Sequence, residues 1–156
     1  MVTNAITEYE SKNFFTFLTK ENPNAVTRDR RYLLDEKSRH AVFMKIMCNA
    51  AMLDCAKIGT EGFSCFKMLF LNVNAESKCL TYNSQKDSFS VVDVACFQKL
   101  QGFDTLQSIA IESKNPKVSN ESRNFYVDIY LHTKVESKHK RKFTEHFLSR
   151  MERIHI

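Results

Sequence analysis

Residues 62–94 of this chain carry three apolar runs within 33 positions and contain few residues that would interrupt them. The whole sequence of 156 residues holds only three glycines and two prolines. The first run, FSCFKMLFLNV (63–73), places alternate residues on opposite faces, and KCLTYNS (78–84) and SFSVVDVACF (88–97) follow after short polar breaks. Consecutive strands joined by short polar turns form antiparallel hairpins. The stretch therefore predicts a tight antiparallel meander.

Two later segments are predicted to extend this sheet. TLQSIAIES (105–113) has the apolar content of a short strand, and RNFYVDIYLHTKV (123–135) alternates with the period of a strand. In the second segment, one face would hold Phe125, Val127, Ile129 and Leu131. The polar stretch between the two, residues 112–122 around Pro116, is predicted to be a loop.

Helices are predicted at both ends of the chain. A capping box favours a helix over residues 7–20, and a second helix is predicted over residues 28–53. The apolar part of the second segment also fits a strand, so the structure of residues 41–58 stays open at this point. Residues 138–154 have the pattern of an amphipathic helix. Its apolar stripe contains Phe143, Phe147, Leu148, Met151 and Ile154.

Together these elements predict an α+β fold in one compact unit, which fits the length of the chain. An N-terminal helical segment, residues 1–50, would pack on residues 51–156. The second part would be an antiparallel barrel or bent sheet that the C-terminal amphipathic helix closes at one end. The predicted residues of this helical cap are Phe143, Phe147, Leu148 and Met151.

Several antiparallel strands followed by one helix resemble the pleckstrin-homology (PH) fold, and most closely the PH domains of phospholipase C and ELMO proteins. The second and third strands of that fold resemble CFKMLFLNVNAESKCLTYNS (65–84), and its fourth strand with the exit resembles FSVVDVACFQKLQGFDTLQ (89–107). A late strand resembles RNFYVDIYL (123–131), and the terminal helix resembles HKRKFTEHFLSRMERI (139–154). The resemblance covers residues 51–156 and implies a PH-like domain.

The resemblance also bears on candidate binding residues. Phe147 stands where PH domains usually carry a tryptophan that faces the barrel. PH domains that bind phosphoinositides carry basic residues late in the first strand and at alternate positions of the second. Only Lys57 and Lys67 stand where those basic residues would be, and Cys65 and Leu69 occupy the alternate positions where a second basic residue is expected, so most of the lipid-binding pattern is missing. The resemblance thus implies binding of a partner peptide, with Lys57 and Lys67 as weak candidates for lipid binding.

Most of the net charge of +5 belongs to the C-terminal segment, since residues 134–156 contain seven lysines and arginines against three glutamates. Four cations stand at the start of the predicted helix: Lys138, Lys140, Arg141 and Lys142. Cations oppose the dipole at a helix N-terminus, so helix stability alone does not favour them there. We interpret them as a candidate site for an acidic partner or another anion, with a solvated helix face as the alternative.

No motif for catalysis, nucleotide binding or a cofactor stands out. The GxSxG, P-loop and HExxH patterns are absent, and the five cysteines and five histidines lack the short spacings of zinc sites. The sequence therefore predicts no enzyme activity, no metal and no cofactor. The cysteines, at positions 48, 55, 65, 79 and 96, are predicted to be small buried residues in a reducing compartment.

These observations predict a non-enzymatic protein–protein interaction module, such as an adaptor or scaffold subunit. The alternatives are binding of anionic lipids (phosphoinositides) at a membrane surface and association with nucleic acid or chromatin through the basic helix. No signal peptide or membrane span is recognisable, so the predicted location is intracellular, cytoplasmic or nuclear, with KHKRK (138–142) as a weak import signal. The partner, the pathway and the oligomeric state stay open.

Overall fold

The computed structural model describes residues 35–85, 88–133 and 137–154, and over these residues the chain combines helices with one small sheet. The helices are α1 (Glu36–Val42), α2 (Thr60–Glu76), α3 (Phe103–Glu112), α4 (Pro116–Leu131) and α5 (Ser137–Ile154). A π-helical turn, Phe43–Met47, follows α1, and a 3-10 turn, Phe97–Lys99, precedes α3. The strands are β1 (Leu80–Gln85) and β2 (Ser88–Val94). The mixed α+β class is confirmed, and the helix predicted over 7–20 lies outside the described residues.

Helix α2 forms the centre of the core. The fully buried rings of Phe63, Phe66 and Phe70 follow one another along it, with centroids 6.3 and 6.0 Å apart. Phe43 of the π-helical turn packs on Phe66 at 5.6 Å, and Phe125 of α4 packs edge-on against Phe70 at 5.5 Å. Because apolar residues surround α2 on almost every side, it is a buried helix rather than an amphipathic surface helix.

The strand predicted over residues 63–73 is therefore wrong. The hairpin turn predicted at the polar break of residues 74–77 is wrong too, because residues 74–76 form the end of α2. A short continuous apolar run does not distinguish a strand from a helix that is buried on all sides. Here the tertiary environment selects the helix.

Asp35 caps the start of helix α1, and the turn that follows the helix enters the core. Asp35 accepts a hydrogen bond of 2.7 Å from the backbone N–H of Ser38, which satisfies one N–H group at the helix start. The π-helical turn then buries Phe43 and Met47 completely, in the same cluster as the rings of α2. The open question about residues 41–58 is thus decided in favour of helix followed by turns.

The hairpin of β1 and β2 confirms the two strands predicted from residues 78–84 and 88–97. Its second strand also rests on the end of α4. The backbone N–H of Val91 donates to the carboxylate of Asp128 at 3.2 Å, and the N–H of Val94 donates to the carbonyl oxygen of His132 at 3.0 Å. The outer edge of β2 is therefore occupied by α4 and the residues that follow it.

Helix α4 begins inside the stretch that was predicted to be a loop. The side chain of Asn115 accepts hydrogen bonds from the N–H groups of Lys117 (3.0 Å) and Val118 (3.3 Å), and Pro116 occupies the first turn. Asparagine at the cap followed by proline at the first helical position is a strong helix start. The loop predicted over 112–122 is therefore wrong beyond the cap.

The strands predicted over 105–113 and 123–135 are wrong as well, because these segments form α3 and the greater part of α4. The buried residues of α4 recur with helical spacing at Val118, Ser122, Phe125 and Ile129. Phe125 and Ile129 also fit an alternating strand, whereas the earlier two positions extend a helical pattern only. The helical period becomes visible once the whole of α4 is considered.

Since three of the predicted strands are helices, the sheet of the described residues has two strands and forms no closed barrel. The C-terminal helix predicted over 138–154 is confirmed as α5. It contacts α3 and α4 instead of covering the end of a barrel. The predicted barrel cap is thus corrected to a helix that packs on two other helices.

A buried asparagine fixes the loop that enters α3. The side-chain oxygen of Asn74 accepts from the N–H of Gln101 at 2.7 Å, and its amide nitrogen donates to the carbonyl oxygens of Gln101 and Phe70, both at 2.9 Å. The next residue, Gly102, has a φ of 81°, and a Cβ atom there would collide with the ring of Phe43. The amide and the glycine together set the path of the chain into α3.

Candidate functional site

The basic start of α5 lies beside the last turn of α4. Lys140 is half-buried, and its Nζ atom lies 5.4 Å from the centroid of the Tyr130 ring. A cation over an aromatic face is attracted by the negative face of the ring. This contact places the cationic turn of α5 next to the C-terminal turn of α4.

The other predicted cations lie, like Lys140, in the first two turns of α5. The Nε atom of Arg141 donates to the carboxylate of Glu145 at 3.0 Å, and both side chains are largely exposed. An exposed pair of this spacing contributes only about 0.3–0.5 kcal/mol, so the guanidinium group can exchange this partner for another carboxylate. The side chains of Lys138 and Lys142 lie outside the described part of the molecule.

Two apolar side chains of α4 face solvent next to this basic turn. Val127 is 50% exposed and Leu131 is 66% exposed. They are four positions apart, so they lie on one face of the helix. Tyr130, whose ring contacts Lys140, directly precedes Leu131 and follows Val127 by three positions. We call Val127, Leu131, Lys140 and Arg141 the α4–α5 surface.

The far end of α5 is held against α3 and α4 by one ring and one arginine. Phe147 packs on Tyr126 with ring centroids 4.7 Å apart. Arg150 donates to the hydroxyl of Ser108 (2.6 Å), the side-chain oxygen of Gln107 (3.1 Å) and the carbonyl oxygen of Asp104 (3.4 Å). Sequence reasoning identified Phe147 as a packing residue and missed Arg150.

Gln107 connects Arg150 to Tyr126 in the core. It is 1% exposed, and its amide nitrogen donates to the hydroxyl of Tyr126 at 3.2 Å while its oxygen accepts from Arg150. Burial raises the pKa of the Tyr126 hydroxyl, so that group stays protonated. Both ends of a buried amide thus have partners, which avoids the cost of an unsatisfied polar group.

The predicted apolar stripe of α5 is only partly correct. Phe147 packs against the core and Met151 is half-buried, but Leu148 is 53% exposed and caps nothing. Its predicted role is therefore wrong. The side chain of Phe143 lies outside the described residues.

The two weak lipid candidates have other partners. The Nζ atom of Lys67 lies 4.9 Å from the centroid of the Phe125 ring, and burial lowers the pKa of its amine, while Asp128 and Glu121 oppose that shift. Lys57 is exposed and lies 3.9 Å from the carboxylate of Asp54. No described contact joins the two lysines in one headgroup site.

The five cysteines divide into buried and accessible thiols. Burial raises the pKa of Cys65 to about 12 and that of Cys48 and Cys55 to about 11. Cys65 and Cys79 are buried, as predicted, and Cys48 and Cys55 are half-buried. Cys96 is exposed, so the prediction that every cysteine is buried is wrong at this position.

The residues that the structure describes contain no group of three or more histidine, cysteine, aspartate or glutamate side chains placed to hold a metal ion. Within the same ranges, no helix has the length and apolar character needed to span a membrane. The α4–α5 surface combines exposed apolar residues of α4 with cations of α5 on either side of the Tyr130 contact, and we take it as the candidate site.

Comparison with known proteins gives no relative, since no family model, no curated protein and no solved structure matches this chain. The resemblance to PH domains therefore stays a prediction from the sequence. The function has to be argued from the residues themselves.

Proposed function

We propose that this chain is a non-enzymatic protein-interaction module that binds an acidic, partly apolar segment of a partner protein on the α4–α5 surface. The observation that carries the proposal is the position of Val127 and Leu131. These two apolar residues face solvent on the last two turns of α4, and Tyr130 of the same turns contacts Lys140 at the start of α5.

The apolar half of the surface supports the proposal because the neighbouring outward positions of α4 carry polar residues. Its neighbouring outward residues, Arg123 and Asn124, are exposed and polar, as expected on a solvated helix face. Val127 and Leu131 break that pattern at consecutive turns. Departures from the expected pattern tend to occur at functional sites, and a few well-packed residues near the centre of an interface supply most of its binding energy.

The basic half supports an acidic partner. Lys140 and Arg141 stand in the first turns of α5, where the helix dipole already repels cations. A carboxylate on a partner would relieve this repulsion and could replace Glu145 at Arg141. Charges at the rim of an interface accelerate association and select the partner, while the apolar residues at its centre hold it.

The proposal keeps the interaction role that the PH resemblance implies, and it does not require the barrel. Its site is a pair of packed helices rather than a groove beside a barrel cap. Binding of anionic lipid or of nucleic acid through the same cations is the competing outcome of the test below.

The test is affinity capture with quantitative mass spectrometry, performed with the whole chain as bait. One variant combines Val127→Ser with Leu131→Ser, and another combines Lys140→Gln with Arg141→Gln. Met52→Ser removes an equally exposed apolar side chain outside the surface, and Lys45→Gln with Lys99→Gln removes two exposed cations outside it. A partner of the surface is recovered by wild type and both controls and lost with both surface variants.

The recovered partner is then reduced to its acidic segment, and the Kd of the purified segment is measured by calorimetry. We expect each surface variant to weaken binding at least about tenfold, which corresponds to about 1.4 kcal/mol. Recovery of the same partners by all variants contradicts the proposal. The proposal is also contradicted if the chain binds anionic vesicles or duplex DNA through Lys140 and Arg141 and this binding is lost as the salt concentration is raised.

A further inference from the structure

Two cysteines lie on either side of the β-hairpin where it joins the rest of the chain. Cys79 directly precedes β1, and Cys96 follows β2 by two positions. The carbonyl oxygen of Cys79 accepts hydrogen bonds from the N–H groups of Ala95 (2.9 Å) and Cys96 (3.1 Å). The backbones of the two cysteines are thus in direct contact across the hairpin.

This backbone contact fits the geometry of a disulfide. The carbonyl oxygen of Cys79 and the amide nitrogen of Cys96 are 3.1 Å apart, so standard bond lengths keep the two Cα atoms within about 7 Å of each other. A disulfide spans Cα separations of about 4.4–6.8 Å. The contact therefore brings the two cysteines within the range that a disulfide spans.

The position of the Cys79 side chain supports the same pairing. Its Sγ atom lies 3.8 Å from the carbonyl oxygen of Ser77, just after α2, and 3.8 Å from that of Lys99. The N–H of Lys99 donates in turn to the carbonyl oxygen of Cys96 at 3.0 Å. The Cys79 thiol therefore lies between the end of α2 and the 3-10 turn that directly follows Cys96.

The two thiols differ in their access to solvent. Cys96 is exposed, whereas Cys79 is 4% exposed. An accessible thiol can react first with an oxidant in solution, and a covered neighbour can then displace the product. This division of roles is the usual one for a reactive cysteine and its resolving cysteine.

We propose that Cys79 and Cys96 form a reversible disulfide when the protein meets a small-molecule disulfide such as oxidised glutathione. The Cys96 thiolate attacks one sulfur of oxidised glutathione, forms a mixed disulfide and releases one reduced glutathione. The Cys79 thiolate then attacks Sγ of Cys96 and releases the second reduced glutathione. Both protein thiols are oxidised, the glutathione disulfide is reduced to two thiols, and the link closes a loop around the hairpin.

The experiment treats the folded full-length chain with oxidised glutathione, quenches it with acid and maps its disulfides by mass spectrometry of non-reduced peptides. We expect one intramolecular link between Cys79 and Cys96, with the loss of two hydrogens and the three other thiols still free. Reduced glutathione in excess should return the chain to its free thiols. A glutathionyl group that persists on Cys96, a link that uses another cysteine, or unmodified thiols would each overturn the proposal.

Two variants test the attack by Cys96 and the attack by Cys79 separately. Cys79→Ser should stop at the mixed disulfide on Cys96, and Cys96→Ser should leave Cys79 reduced. Cys48→Ser is the matched control and should oxidise like wild type. Closing a loop of this length typically raises the melting temperature of a domain of this size by about 6–12 °C. An unchanged or lower melting temperature of the oxidised chain would show that the native backbone does not hold the pair in place and would overturn the proposal.

Discussion

Helices α2 and α5 are nearly equal in length, with 17 and 18 residues, but they relate to the rest of the molecule in opposite ways. Eleven residues of α2 are buried, and its phenylalanines contact α4 and the turn after α1. The described contacts of α5 are fewer and more polar, namely one ring on Tyr126, the hydrogen bonds of Arg150 and the cation over Tyr130.

The difference separates a helix that maintains the fold from a helix whose start we propose as part of a binding surface. A residue of α2 cannot change without disturbing several neighbours, because close-packed interiors respond even to the loss of one methylene group. Of the cations at the start of α5 whose side chains are described, Lys140 is half-buried and Arg141 is largely exposed, and cations at this end of a helix oppose its dipole. We therefore expect substitutions in α2 to alter stability and those at the start of α5 to alter binding.

The largest expected effect compares two phenylalanines. Phe70→Ala should lower the free energy of unfolding by about 3–5 kcal/mol, because it removes a fully buried ring that contacts Phe43, Phe66 and Phe125. Phe147→Ala should cost about 1–2 kcal/mol, since that ring is half-buried and pairs with Tyr126 alone among the described rings. Urea unfolding of both variants checks the order. Equal losses would mean that α5 is as much a part of the core as α2.

A second prediction concerns the polar contact of α2 with the loop before α3. Asn74→Leu should cost about 2–4 kcal/mol, because the N–H and carbonyl groups of Gln101 lose their side-chain partner in a buried site. Asn120→Leu, on the exposed face of α4, is the control and should stay within about 0.5 kcal/mol. Thermal and urea unfolding measure both. A tolerated leucine at position 74 would show that the loop finds other partners.

The third prediction tests the attachment of α5. Arg150→Ala should lower the free energy of unfolding by about 1–2 kcal/mol, because Gln107 and Ser108 lose a charged donor. Arg150→Lys should restore less than half of this loss, since an ammonium group does not reproduce the planar donor geometry of a guanidinium group. Arg141→Ala, which breaks only an exposed pair, should have no effect above about 0.5 kcal/mol. If Arg141→Ala costs as much as Arg150→Ala, the two ends of α5 do not differ as we describe.

The smallest expected change in stability belongs to the α4–α5 surface. Lys140→Gln with Arg141→Gln should change the free energy of unfolding by no more than about 0.5 kcal/mol, because relief of repulsion by the helix dipole offsets the lost contacts with Tyr130 and Glu145. Differential scanning calorimetry measures this shift in the same samples that are used for capture. Marked destabilisation would show that these cations maintain the fold, and a loss of binding could then not be assigned to the surface.

The error in the sequence-based prediction of α4 and the candidate surface have the same origin. The sequence of residues 123–135 predicts a strand because every second position from 125 to 131 is apolar: Phe125, Val127, Ile129 and Leu131. In the helix, Phe125 and Ile129 point to the core while Val127 and Leu131 point to solvent. Polar residues at these outward positions would have given α4 a clearer amphipathic pattern, and its helical period would have been easier to recognise.

The sequence by itself determined the hairpin and the C-terminal helix, because their patterns are local. Alternation with short polar breaks marks β1 and β2, and the apolar stripe of residues 138–154 marks α5. The cationic start of α5 was likewise visible in the sequence. The start of α4 at Asn115 and Pro116 could also be recognised in the sequence, but the polar residues around these two positions favour a loop.

Only the tertiary structure decided the form of residues 60–76 and the neighbours of each side chain. A run that is apolar throughout is buried in either form, and whether it becomes helix or strand depends on what packs around it. In this molecule, rings from the turn after α1 and from α4 surround the segment as a helix. The contacts between Lys140 and Tyr130 and between Arg150 and Gln107 join residues 10 and 43 positions apart, and the packing of α5 on α3 and α4 brings them together. No local pattern encodes such pairs, because they form only when complete elements pack against one another.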